Sequence, residues 1–315
     1  MLLLDHEIRF RAMGTQCHVL VAGAGDVADE LCHLARMRVE LLEQSWSRFR
    51  PDSELNRLNA SDGRGPQTVS PDLLRLGRAM KDAWLGTAGL FDPTVLASMR
   101  ALGYDADFET VAARSATALD DVILAASPGM SAVTIDESTS TISLPTGVGL
   151  DPGAIGKGLA ADIIAEELFG AGAGGVLVNL GGDISLAGEP AAGDPWSISI
   201  EDERRPADHP ERVLQILTVE GGRAGVATST TLKRRWAQGR RHHVIDPRTG
   251  SMISSDLVQV TVAAPTACMA EWSATAALLK SPDSATAWLQ EQGRTAILLT
   301  RDRAVHVSGK ERARG

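Results

Sequence analysis

The stretch GGVLVNLGGDISLAGE, residues 174–189, sets the fold class. Two apolar runs flank Gly181-Gly182, and a glycine pair between such runs predicts two strands joined by a tight hairpin turn. Outward from it the same reading recurs. SAVTID (131–136) and STISLP (140–145) predict a second hairpin, and TAILLT (295–300) with AVHV (304–307) a terminal pair. Single strands are expected at 16–23, 196–200, 213–219, 223–228 and 256–263. Helices are expected at 26–49 (capped by Asp26), 71–88, 94–102, 157–169, 266–280 and 283–292. The stretch between residues 50 and 70 is polar and rich in turn residues, and 105–130 fits neither pattern cleanly. Hairpins outnumber strand–helix–strand units, and no Gly-x-Gly-x-x-Gly follows a strand. The expectation is therefore an α+β fold and not a doubly wound sheet. No low-complexity linker or repeat interrupts the 315 residues, so a single large domain over 1–315 is expected.

Composition excludes several classes. The chain is 43% hydrophobic and 23% charged, ordinary for a soluble domain, and its net charge of -9 argues against coating nucleic acid. No apolar run reaches the length of a membrane span, and MLLLDHEIRFRAMGTQ at the start lacks a signal-peptide core. Three well-separated cysteines, Cys17, Cys32 and Cys268, cannot all pair with one another, which fits a reducing compartment and a cytoplasmic protein.

In an acidic chain a phosphate site has to be built locally, and DPGAIGKGLAADIIAEELF (151–169) has the parts. Gly153, Gly156 and Gly158 surround Lys157 at a helix start. The helix places Leu159, Ile163, Ile164 and Leu168 on one face. Backbone N–H groups, the helix dipole and an ammonium together suit a phosphate. The pattern is not a P-loop, because Gly158 stands where Ser or Thr is required. Elsewhere, Glu271 and Thr275 lie four apart in CMAEWSATAALL. They share one helix face and can offer oxygen to a hard cation such as Mg²⁺. RRHHVIDPRTG (240–250) supplies His242 and His243, and GLFDPTV (89–95) is a turn with Pro93 at the first helical position. Each feature alone is equally a structural turn, a hydrogen-bonded histidine or an exposed helical pair.

In their order along the chain these motifs resemble one family. MGT (13–15), SRFRPDSELNRLN (47–59), GLFDPTV (89–95), LDPGAIGKGLAAD (150–162), VNLGGD (178–183), VATS (226–229), HHVIDPRTG (242–250) and AEWSATA (270–276) look like those of the FAD:protein FMN transferases. These are the ApbE family, formerly called thiamine-biosynthesis lipoproteins. The resemblance implies an ApbE-like (T-fold-like) α+β architecture that binds FAD. It implies transfer of FMN from FAD to a Thr or Ser hydroxyl of a target flavoprotein, with release of AMP and help from Mg²⁺. Carried over by position, the main-chain carbonyl of Ala154 would join Glu271 and Thr275 at the metal. Met13, Phe49, Leu90, Phe91, Asp92, Asp151, Lys157 and Ile245 would surround FAD, and His243 would be the catalytic histidine. Partners would be the acceptor flavoprotein, with no nucleic acid and no membrane span.

The chain departs from the family in three places. Glu271 replaces the family's Asp, moving the carboxylate by about one bond length, which octahedral Mg²⁺ tolerates poorly. Ser229-Thr230-Thr231 replaces a Ser-Gly-Asp. From MLLLDHEIRFRAMGTQ, neither the leader nor the lipid-accepting cysteine of exported members is expected. Two other readings stay open: an Mg²⁺-dependent FAD pyrophosphatase giving FMN and AMP, and a flavin-binding protein without turnover.

Overall fold

The computed structural model describes residues 6–114, 124–190, 195–302 and 305–308. The chain starts with the hairpin β1 (His6–Ala12) and β2 (Thr15–Ala22). A 3-10 turn (Gly25–Val27) leads into α1 (Ala28–Trp46). There follow α2 (Glu54–Asn59), β3 (Gln67–Thr68), α3 (Pro71–Gly86), a 3-10 turn (Pro93–Val95), α4 (Leu96–Ala101) and α5 (Phe108–Ala112). Next come β4 (Thr134–Asp136), β5 (Thr141–Ser143), α6 (Gly156–Gly170), β6 (Gly175–Leu180) and β7 (Asp183–Gly188). After these run β8 (Trp196–Glu201), β9 (Val213–Val219), β10 (Ala224–Thr230), β11 (Arg235–Trp236), β12 (Arg241–His242) and β13 (Leu257–Ala264). The chain closes with α7 (Ala267–Leu278), α8 (Pro282–Glu291), β14 (Thr295–Thr300) and β15 (Val305–Ser308).

The described chain forms two compact units interleaved in sequence. The first takes Met1–Arg38, Lys157–Leu232 and Ser255–Gly315, the second Val39–Gly156 and Lys233–Ser254. In the first, eight strands form one sheet in the order β1-β2-β6-β7-β10-β13-β14-β15, antiparallel at every pairing. The opening hairpin holds as expected. Leu180 pairs with Asp183 across Gly181-Gly182, whose φ values of 73° and 101° suit glycine. A Cβ on Gly181 would collide with the Thr15 side chain, so that glycine also lets two turns pack together. Helix α7 lies across β10 and β13. Its alanines at 270, 274, 276 and 277, all fully buried, let it approach closely. On the same sheet, Ile184, Leu186, Val226 and Ile297 pack with Trp196, Ile198 and Ile200 of β8. In the second unit, β3-β5-β4 form a small sheet, and Met99, Leu102, Tyr104, Val111, Trp236 and Ile245 form a core.

Four expectations need correction. Asp26 caps no helix; it lies in the 3-10 turn, and α1 starts two residues later. The helix expected through residue 49 ends at Trp46, so Phe49 stands in a loop. The turn-rich stretch holds α2, capped by Ser53, whose hydroxyl accepts the Asn56 N–H at 3.0 Å. Helix α6 buries more than one face: Ala160, Ala161 and Ala165 are as buried as Ile163 and Ile164. Residues 115–123, inside the ambiguous stretch, and 309–315 lie outside the described residues.

Candidate active site

In the first unit the chemistry gathers at one end of the sheet. The β1–β2 turn is Met13-Gly14, with φ of 49° and 65°. A methionine at positive φ carries strain that glycine avoids. Beside it, the Gly181 N–H donates to the Gln16 carbonyl at 3.0 Å, and the Gly182 N–H to Asn179 Oδ1 at 2.8 Å. Asp183 opens β7 here with only 1% of its surface exposed.

Lys157, in the first turn of α6, touches two carboxylates. Its Nζ is ion-paired with Asp183 and, at 3.3 Å, with Glu271 Oε1. Glu271 is 3% exposed, and its Oε2 accepts the Gly158 N–H at 2.8 Å. One N–H of the α6 start, expected to face a phosphate, is therefore taken by a carboxylate. Burial of an ion pair is tolerable when charges balance. Here one ammonium faces two buried carboxylates, leaving a local net charge of -1. One helical turn beyond Glu271, Thr275 Oγ1 lies 2.7 Å from Ser229 Oγ on β10. Deeper in α6, Asp162 accepts Ser185 Oγ at 2.7 Å and the N–H groups of Ala267 and Cys268 at 2.9 Å. Burial still pushes its carboxyl above the usual range.

The second unit holds a different cluster. The Arg48 guanidinium lies over two rings that also touch each other, 4.0 Å from the Phe49 centroid and 4.4 Å from that of Tyr104. Its Nε pairs with Asp151 Oδ2 at 3.1 Å, both side chains being nearly inaccessible, and its Nη1 donates to the Tyr104 carbonyl at 2.7 Å. The other Asp151 oxygen accepts the Gly153 N–H at 2.8 Å, and Asn59 clamps Leu150 from both sides. Together they fix the loop that carries Ala154, whose φ is 64°. A cleft of about 390 Å³ opens alongside, lined among others by Arg48, Phe49, Asn56, Asn59, Arg100 and Asp105.

The remaining sequence-predicted residues of this unit are placed as follows. Leu90 is half-buried and Phe91 is 3% exposed. Asp92 caps the turn at Pro93, accepting the Thr94 N–H at 2.8 Å and its hydroxyl at 2.6 Å. Burial raises the Asp92 carboxyl. Ile245 is buried in the core and bridges to Met252. His242 is buried, its Nδ1 accepting the Val244 N–H at 3.3 Å, whereas His243 is half-buried. Strand β12 ends at His242, and His243 follows at a bend, so the two differ in burial without sharing a strand. Asp246 closes the next turn, accepting N–H groups from Arg248.

Sequence reasoning missed Asp183, Arg48 and Asp162 as members of these clusters. Asp183 and Asp162 close the motifs VNLGGD and LDPGAIGKGLAAD, and Arg48 is the second residue of SRFRPDSELNRLN. An acid directly after a Gly-Gly hairpin turn was the available signal for Asp183.

A mostly antiparallel α+β chain with a buried, charge-unbalanced cluster at a sheet end is the class that this geometry defines. The ApbE family model matches residues 13–299, and the chain belongs to the ApbE family. It is similar to an FAD:protein FMN transferase of Rhodobacter capsulatus, 31% identical, over 87% of this chain and 51% of that protein. It is also similar to one of Klebsiella pneumoniae (strain 342), 27% identical, over 93% of this chain and 83% of that protein. Among solved structures it resembles the ApbE protein of Thermotoga maritima, with a TM-score of 0.83 and 22% identity over 97% of both chains. The flavin transferase ApbE of Vibrio cholerae follows with a TM-score of 0.79 and 24% identity over 97% of both chains. These structures share the α+β fold expected from the hairpins.

Proposed function

We propose that this chain is an FAD:protein FMN transferase, moving FMN from FAD to a Thr or Ser hydroxyl of a target flavoprotein. In that reaction the acceptor oxygen bonds to the FMN phosphorus, the pyrophosphate P–O bond breaks, and AMP leaves. His243, half-buried and next to the turn closed by Asp246, takes the hydroxyl proton. Lys157 binds the pyrophosphate as a point charge. Met13, Phe49, Leu90, Phe91, Asp92, Asp151 and Ile245 are assigned to the FAD site. Phe49 offers an accessible ring face, while Asp151 and Asp92 act by fixing their loops.

The observation that carries the proposal is the charge deficit at Lys157, Asp183 and Glu271. A cation fits there, and the donors are oxygens. Among the described residues no three His, Cys, Asp or Glu side chains converge to cage an ion. Mg²⁺ characteristically takes one or two protein carboxylates and completes its shell from substrate phosphate and water. Glu271, Thr275 and the Ala154 carbonyl are the residues assigned to hold it. When bound it would neutralise charge on the pyrophosphate during transfer.

The two units are read as one functional domain, since neither is continuous in sequence. No helix among the described residues is long and apolar enough to cross a membrane, and the three cysteines are buried outside any disulfide. A cytoplasmic site of action agrees with both. The test is incubation with FAD, Mg²⁺ and a candidate acceptor flavoprotein. The acceptor is expected to gain the mass of one FMN for each AMP released. AMP with free FMN alone would make the protein a pyrophosphatase, and bound FAD with no AMP a flavin carrier.

A further inference from the structure

The first four N–H groups of α7 all have acceptors, and two of those bonds come from another helix. Met269 and Ala270 donate to the Thr266 hydroxyl and carbonyl, at 3.1 and 3.0 Å, as in an ordinary N-cap. Ala267 and Cys268 donate instead to Asp162 of α6, each at 2.9 Å. The return bond runs the other way: Glu271 of α7 accepts the N–H of Gly158 in the first turn of α6. Each helix thus sets a carboxylate on the positive end of its neighbour. The fit is tight on both sides. A Cβ on Gly158 would meet the Ala267 carbonyl at 2.5 Å, and one on Gly225 of β10 would strike the Thr266–Ala267 backbone. Ser185 of β7 holds Asp162 from behind, and Asp183, two residues earlier on that strand, takes Lys157.

We propose that Asp162 is a positioning residue of this site: by capping α7 it fixes where Glu271 meets Gly158 and Lys157. The assignment rests on the transferase reading for its effect on catalysis, but its structural part stands alone. A carboxylate that only stabilised α7 would act on α7 alone. A positioning residue has an effect that passes through α7 and returns, by way of Glu271, to the first turn of α6.

Hydrogen exchange of the whole protein, without FAD or metal, separates the two. In Asp162→Asn, which leaves the α6 backbone unchanged, the Gly158 amide should exchange about tenfold faster, although the bonds of the Asp162 carboxylate go to Ser185, Ala267 and Cys268. Thr266→Ala strips a cap from α7 itself, and should speed Met269 while leaving Gly158 within about twofold. AMP release against Mg²⁺ gives the second readout. The half-saturating concentration should rise about tenfold in Asp162→Asn, with KM for FAD little changed, and stay put in Thr266→Ala. An unaltered Gly158 amide in Asp162→Asn, or equal responses in both variants, would overturn the proposal. Absence of AMP release by the wild type would overturn the proposed function instead, leaving exchange to judge the helix tie.

Discussion

Two buried clusters of acid and base lie in the two units, and they differ in their charge balance. Arg48 and Asp151 match one cation with one anion, and every remaining donor and acceptor we describe there is engaged by the backbone or a ring face. Lys157 meets Asp183 and Glu271, one cation against two anions. A closed pair needs nothing further and serves to fix a loop. An unbalanced triad buried to this degree is costly unless another positive charge joins it. The contrast separates scaffolding from chemistry better than residue type does, since both clusters use the same kinds of group.

Removing the cation from each cluster should break the comparison if it is wrong, and gives the largest effect expected. Arg48→Ala and Lys157→Ala each strand buried carboxylate, at a cost of about 3–5 kcal/mol. Mg²⁺ should restore part of the stability of Lys157→Ala and none of Arg48→Ala. Thermal unfolding with and without Mg²⁺ is the measurement, and equal responses to the ion would show that both clusters are scaffolding.

Next in size is the loss of one anion. Glu271→Gln keeps the shape, removes a charge and balances the triad at one to one. The rate of AMP release should fall by about 10²–10³-fold, with the fold retained. Glu271→Asp should stay active, because it restores the shorter carboxylate of the family. A wild-type dependence on Mg²⁺ in Glu271→Gln would place the ion elsewhere.

How much of this was visible in the sequence depended on range. The Gly181-Gly182 hairpin was legible because turn chemistry is local, and so was the pairing of Glu271 with Thr275 on one helix face. Strand β1 was overlooked although Ile8, Phe10 and Ala12 alternate with Glu7, Arg9 and Arg11; as an edge strand it is nowhere fully buried, and only three of its residues are apolar. Helix α2 has only six residues, too few to display a period, although Leu55 and Leu58 are buried. Lys157 stood out in the sequence because it lies between glycines at a helix start. Its present partners were not, because Asp183 and Glu271 are 26 and 114 positions away in sequence and are brought to it only by the sheet and by α7. The reciprocal caps of Asp162 and Glu271 escaped for the same reason.

A smaller effect concerns the two histidines. His242 is buried and bonded to its own segment, and His243 is half-buried. His243→Ala should lower the transfer rate at least about tenfold more than His242→Ala, as for loss of a general base. His242→Ala should mainly lower the melting temperature. Initial rates and melting curves on the same preparations decide it, and a dominant rate effect at His242 would reverse the assignment.

The smallest effect is a matter of sign, at one carboxylate in each unit. Arg248 holds the Asp246 carboxyl below its usual range through side-chain hydrogen bonds. The folded state then releases this proton more readily than the unfolded chain does. Its contribution is complete above the unfolded value of about 3.9 and is lost as the pH falls through the depressed one. Asp162 is shifted upward by burial, so the folded state holds its proton more tightly. Its contribution therefore diminishes as the pH rises from about 4 through the raised value. Replacing each with asparagine should change the pH slope of stability in opposite directions: Asp246→Asn should protect against acid below pH of about 4, by under about 1 kcal/mol for so accessible a pair. Asp162→Asn should flatten the decline above that value. Denaturant unfolding between pH of about 3 and 6 reads both slopes. If the two substitutions bend the curve the same way, the burial that distinguishes Asp162 from Asp246 is not what governs their protons.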